Sequence, residues 1–419
     1  MSTRFVRAAL LAATCVLPFT AHSADTVRIA YIDPLSGAFA NVGESGLHHF
    51  QLMAEEINAH GGLYQGSKLE IVPFDDKTSP QEALNQLKRV IDAGIRYISQ
   101  GNGSSVAAAL VDAVNRYNER NPGKEIVYLN YAAVDPVLTN EKCSFWHFRF
   151  DANSDMKMEA LTNWMLPNKN IKKVYLINQD YSFGQSVAKM ARELLAKKRP
   201  DVQIVGDDLH PLGQVKDFAP YVAKIKQSGA DAVITGNWGN DITLLIKAAK
   251  DGGLTAPFFT YYGGGLGVMP ALGDAAVGRV KQVTEYHTNI QPNKSLAFAE
   301  EYWKKFPAKG DDFYYLRVRT MLQMFAEATK KAKSVEPKAV AYALEGMNFA
   351  SDTGGVVMRK DDHQLVQPLY LSTIYRVAAK GGPAEVKYGV EGTDYGFKTD
   401  ARIEAKDTAL PTTCKMARP

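Results

Sequence analysis

Short runs of β-branched residues alternate with longer segments of helical spacing along most of this 419-residue chain. Residues 27–32, 68–74, 95–99, 125–130, 173–178, 202–207, 231–235 and 257–261 read as strands, and most of them run into a helical pattern. Each strand is then carried back to the same end before the next begins, which predicts a parallel sheet with helices on both faces. Local signals agree: residues 44–60 have helical spacing and stop at Gly61-Gly62, and the next helix starts with Ser79 as cap and Pro80 in its first turn, runs to Asp92 and stops at Gly94.

One sheet of that many strands would be large, and residues 145–151 offer a place to divide it. This extended run is dense in aromatics and leads into the helix-start signal Asn153-Ser154-Asp155. A second passage is expected at residues 280–287, before a helical block over 294–333, and a third near residues 348–355. Residues 356–358 and 369–377 then supply the last strands. The fold class expected is α/β, with two doubly wound parallel-sheet lobes joined by three hinge crossings. Residues 25–150 with 286–348 form the first lobe, residues 151–285 with 349–378 the second, and residues 379–419 a C-terminal extension.

At the N-terminus, Arg4 and Arg7 precede an apolar stretch from residue 8 to 19 that ends in Ala21-His22-Ser23-Ala24. This is the pattern of a secretory signal peptide over residues 1–24, too short to span a membrane. Cys15 lies inside it, but Ala12-Ala13-Thr14 is a poor lipoprotein box, so a soluble periplasmic product is expected. Two cysteines remain, Cys143 and Cys414, and an oxidising compartment predicts a bridge between them. The formal charge of +4 falls to +2 without Arg4 and Arg7, too balanced for nucleic acid or an anionic membrane surface. His48-His49 has no second ligand pair at metal spacing, so neither a metal nor another cofactor is expected.

Ligands of open parallel sheets bind beyond the carboxyl ends of the strands. The loops there, residues 34–43, 101–105, 131–136, 180–184, 236–241 and 261–267, share glycines, hydroxyls and aromatic rings: Phe39, Tyr131, Tyr181, Phe183, Trp238, Tyr261 and Tyr262. Gly101-Asn102-Gly103-Ser104-Ser105 reads as a glycine turn into a helix, which brings the amides and hydroxyls of Ser104 and Ser105 to a helix N-terminus suited to a small anion. It lacks the third small residue of a dinucleotide fingerprint, since Val106 stands there. Taken alone, it is also what a serine cap after a tight turn looks like.

Val27-Arg28-Ile29-Ala30 with Leu35-Ser36-Gly37, the run Glu55-Glu56-Ile57-Asn58-Ala59-His60-Gly61-Gly62, and Phe74-Asp75-Asp76 with Pro80 resemble the periplasmic binding proteins for leucine, isoleucine and valine. The likeness continues through Gly103-Ser104-Ser105, Asp180-Tyr181-Ser182-Phe183-Gly184 and Ala230-Asp231-Ala232-Val233, and covers roughly residues 27–377. It implies the type I periplasmic binding fold and delivery of a ligand to the permease subunits of an ATP-binding-cassette importer. It also implies that Ser104 holds an α-carboxylate and that Ala132 offers a carbonyl to the ammonium. The pattern is broken elsewhere: Val134 replaces a threonine, Tyr262 replaces the carboxylate that neutralises the ammonium, and Phe183 and Trp238 replace tyrosines.

A buried ammonium without an anionic partner loses several kcal/mol of solvation, so the expected ligand is a small carboxylate without an amino group, aromatic or otherwise apolar. The expected site comprises Ser104, Ser105, Asn102, Tyr131, Ala132, Val134, Phe39, Phe183, Trp238, Tyr261 and Tyr262. Branched-chain or other hydrophobic amino acid uptake is the alternative, for a shift of register in these loops would let Asp180 or Asp241 supply the charge, although Asp241 suits a helix cap. A periplasmic ligand sensor would use the same fold. No nucleophile elbow or complete dinucleotide fingerprint points to an enzyme, and a monomer is expected.

Overall fold

The computed structural model of the chain describes residues 26–306 and 310–419. The expected signal peptide and Cys15 lie outside them. Five parallel strands form the first sheet: β1 (Thr26–Asp33), β2 (Lys68–Asp75), β3 (Tyr97–Gln100), β4 (Val127–Asn130) and β5 (His147–Arg149), in the order β2-β1-β3-β4-β5. The helices that return the chain are α1 (Ala40–Ala59), α2 (Pro80–Asp92) and α3 (Ser104–Arg120). β3 and β4 are buried at every residue, as strands covered on both faces must be. Ser79 caps α2 as the sequence predicts, its hydroxyl accepting from the Glu82 amide.

The second sheet begins with β6 (Lys173–Gln179), β7 (Gln203–His210), β8 (Ala232–Thr235), β9 (Phe258–Thr260) and β10 (Val280–Thr284), all parallel. Along β6, Val174 and Leu176 enter one apolar cluster while Tyr175 and Ile177 enter another, so the pleat feeds a core on each face. Helices α4 (Ser154–Met165) and α5 (Ser182–Lys198) belong to this lobe.

The later part of the chain departs from expectation. Strands β11 (Asn348–Ser351), β12 (Gly354–Met358) and β13 (Leu365–Val366) make a small antiparallel sheet of their own. The chain doubles back at Gly354, whose φ of +126° few other residues tolerate. Val356, Met358 and Leu365 then join the first lobe's core. The third passage therefore falls between Val366 and Leu369, not near residues 348–355. Beyond it, β14 (Leu369–Arg376) pairs antiparallel with β10, and β15 (Tyr395–Ile403) pairs with β14. Residues 379–419, expected to be an extension, thus contribute the edge strand of the second sheet. The expected helical block over 294–333 contains two helices, Leu296–Lys305 and Leu316–Ala332.

Cys143 and Cys414 are bonded to each other, with Cα atoms 5.7 Å apart across 271 positions. The bridge ties the chain's end to the loop before β5. Among the described residues, no helix is long and apolar enough to cross a membrane, and no group of three or more His, Cys, Asp or Glu side chains gathers as for a metal.

Candidate functional site

Between the lobes lies a cavity walled by loops beyond the carboxyl ends of β3, β4, β8 and β9, by the start of α5 and by the segment leading into the helix Leu316–Ala332. The space open to the centre of a water molecule is about 40 Å3, room for a few waters at about 10–15 Å3 each. Phe39 of the first lobe packs on Trp238 of the second, which lines the cavity, with ring centroids 4.3 Å apart. The Asn240 amide also donates to the Ala38 carbonyl across the gap, at 2.8 Å.

Asn102, Ser104, Ala132 and Val134 line the cavity from the first lobe. Gly103, at φ +98°, turns the chain so that α3 starts at Ser104. The first amide bonded back into this helix is that of Ala107, to the Gly103 carbonyl, so the amides of Ser104 and Ser105 precede the ladder. Ser104 Oγ accepts from the Asp135 amide at 3.2 Å, which leaves its own proton free to be donated. The loop before it is held from behind. Asp33 accepts from the amides of Gly101 and Asn102 at 3.2 and 2.9 Å, and burial followed by the nearby Asp76 carboxylate pushes its pKa well up.

Tyr131 supports this loop instead of facing the cavity. Its hydroxyl takes a bond from Asn102 Nδ2 at 2.8 Å, and its ring lies so close to Gly101 that a Cβ there would fall 2.6 Å from it. Ser105 is likewise off the wall. From the second lobe Phe183, Trp238 and Tyr262 line the cavity, with Tyr181, whose hydroxyl accepts from Trp238 Nε1 at 2.8 Å. Tyr261 faces away and donates to the Ser154 carbonyl. Phe39 packs on Trp238 without lining the cavity. Asp180 and Asp241 do not line it: Asp180 accepts from Gln185, and Asp241 from Gln179 and the Gly213 amide.

Tyr314, Tyr315 and Arg317 also line the cavity, and loop-by-loop reading did not find them. Their signal was the aromatic cluster Phe313-Tyr314-Tyr315, which interrupts the helical block. Buried His49 on α1 sets this segment: its Nε2 accepts from the amides of Tyr314 and Tyr315 at 3.0 and 3.1 Å, while Nδ1 faces the Ser45 carbonyl at 2.7 Å. Burial lowers the His49 pKa to about 4, so the ring stays neutral and keeps its acceptor.

Arg317 belongs to a buried ionic group where the lobes meet. Its Nη1 donates to Glu285 Oε1 at 2.6 Å, its Nε lies 3.7 Å from Asp151 Oδ2, and Lys157 Nζ lies 2.8 Å from the same oxygen. Asp151 follows β5 and Glu285 follows β10, so both acids stand at passages between lobes. Burial opposes the guanidinium charge, but Glu285 and Asp151 outweigh it and hold the pKa above its ordinary value. Among the described residues lining the cavity, Arg317 alone is charged, and none is acidic.

A family model described as periplasmic binding protein matches residues 26–382. A Brucella abortus (strain 2308) protein named Leu/Ile/Val-binding protein homolog 4 is 34% identical over 406 residues, 95% of this chain and 94% of that one. The closed crystal structure of the leucine-, isoleucine-, valine-, threonine-, and alanine-binding protein from Brucella ovis matches with a TM-score of 0.82 and 32% identity, covering 94% of this chain and all (100%) of that one. A solute-binding protein of an ABC transporter from Rhodopseudomonas palustris BisB5, solved with 3,4-dihydroxy benzoic acid, gives a TM-score of 0.76 at 21% identity, covering 91% and 98%. At that identity the likeness speaks for the fold.

Proposed function

The chain belongs to the periplasmic binding protein family, and from that premise we propose that it is the exported solute receptor of an ATP-binding-cassette importer, closing on a compact carboxylic acid that lacks an amino group. One observation carries the ligand class: the described cavity wall combines a helix N-terminus, the free proton of Ser104 and four aromatic rings of the second lobe's Tyr181, Phe183, Trp238 and Tyr262 with a single cation and no carboxylate. An acid finds donors at that helix end. An ammonium finds no anion on the wall and would meet Arg317 instead. Flat or apolar groups gain from the rings, each burial and offset stack adding on the order of a kcal/mol.

The mechanism is a population shift. Ser104, Ala132 and Val134 belong to one lobe, Phe183, Trp238 and Tyr262 to the other, and only the closed form brings both sets to one ligand. The permease then reads the closed shape. Branched-chain amino acid uptake is the second reading, favoured by the names of the relatives at 32–34% identity.

Calorimetric titration of the protein with leucine, glutamate, benzoate and 4-hydroxybenzoate separates the two. Acid binding without leucine binding is expected; tight leucine binding refutes the acid reading. Neighbouring genes for permease and ATPase subunits favour transport, whereas a neighbouring kinase or chemoreceptor gene favours sensing.

A further inference from the structure

Arg317 is an expensive residue for a cavity wall, and its surroundings do not use all of it. The side chain is 2% exposed, Nη1 is committed to Glu285, and Nε and Nη2 are buried without a hydrogen-bond partner. The hydroxyl of Tyr314, on the same wall, is also buried and unpartnered. Arg317 further occupies the first turn of the helix Leu316–Ala332, where the helix dipole disfavours a cation. Packing alone would be served as well if the whole group, Arg317, Lys157, Asp151 and Glu285, were apolar side chains of similar volume. The acids of the group, Asp151 and Glu285, do not reach the wall, so the guanidinium stands between them and the cavity. Lys157 Nζ sits 5.1 Å from the ring centroid of Tyr262, and the Arg317 guanidinium 4.7 Å from that of Tyr315, so two of the wall's rings carry a cation on one face.

Building on the acid-binding reading above, we propose that the ligand carries a second oxygen acceptor besides its carboxylate, and that Arg317 and the Tyr314 hydroxyl receive it. A guanidinium whose Nη2 has no partner, beside the unpartnered Tyr314 hydroxyl, suits a phenolic oxygen or a second carboxylate. The ligand class narrows to compact acids with two oxygen-bearing ends, and Arg317 becomes a specificity-determining residue.

Titrations of the signal-free protein with benzoate, 4-hydroxybenzoate, succinate and leucine test this. Benzoate and 4-hydroxybenzoate differ by one oxygen, and succinate replaces the ring with a second carboxylate, so the pair that binds identifies the source of the acceptor. The expected result is a preference of about tenfold or more for 4-hydroxybenzoate or succinate over benzoate, as for a hydrogen bond to a charged donor. Tyr314→Phe removes only the hydroxyl, and Arg317→Lys keeps a cation for Glu285 and Asp151 while removing the fork. Both should shrink the preference to within about threefold, a change of ratio that a merely structural arginine would not produce. Equal binding of benzoate and both two-oxygen acids, or a preference that survives both variants, overturns the inference and leaves the acid reading standing. Leucine binding in preference to all three acids, or binding of none of them, overturns both.

Discussion

Ser104 carries the acid end of the proposed site because its hydroxyl accepts from the Asp135 amide and so points its own proton elsewhere. Ser104→Ala is expected to weaken an acid ligand by about 1.5–3 kcal/mol, the usual worth of a hydrogen bond to a charged group, and calorimetry with benzoate reads it. A second residue fixes a pH dependence. His49 has a folded pKa of about 4 against 6.5 when free, so between those values the unfolded chain binds the extra proton. Its contribution is present above pH 6.5 and is lost as the pH falls toward 4, on the order of 3 kcal/mol in full. Urea unfolding at pH 7 and pH 4.5 should show a smaller acid loss for His49→Gln than for the parent; equal losses would exclude this residue as the source. The loops beyond the strands were readable, but Tyr261 and Tyr262 are adjacent in the loop after β9, and the path that sends one to the Ser154 carbonyl and the other to the cavity is set by the folded loop. Arg317 was illegible for another reason: its meaning depends on Asp151 and Glu285, which only the fold brings to it.

At the scale of elements, β-branched runs and glycine stops revealed the parallel strands, and β3 and β4 are short segments buried at every residue. The antiparallel ones were harder. β11 and β12 are exposed at alternate positions, and β15 sits at an edge with only part of its length buried, so neither gives a continuous apolar run. β15 also explains why the chain continues past β14, since its nine residues cover what would otherwise be an open edge. The Cys143–Cys414 bridge closes the long segment that contains the second lobe and the small antiparallel sheet. Replacing both cysteines by serine is expected to cost about 2–5 kcal/mol in stability and to leave ligand affinity unchanged, since neither residue lines the cavity. Denaturant melts of the double variant check the first part and titration the second.

Over the whole molecule, the lobes meet at a buried group of two acids and two cations, Asp151, Lys157, Glu285 and Arg317, and again where Phe39 lies on Trp238. The first is placed at the passages themselves; the second is a contact of one lobe with the other, which separation of the lobes would break. Phe39→Ala removes an aromatic pair worth about 0.5–1.5 kcal/mol beyond its buried area and leaves the interior wall intact. It should weaken ligand binding several-fold, mostly through faster release, and small-angle scattering should show a larger open fraction at the same ligand concentration. Unchanged release would mean that closure does not depend on this contact. The central claim concerns what the closed lobes hold. A crystal structure of the protein with its co-purified or titrated ligand should place a carboxylate on Ser104 and the adjoining amides, with no acidic side chain against a ligand nitrogen. An ammonium bonded to an aspartate or glutamate, or a ligand held away from Ser104, would contradict it.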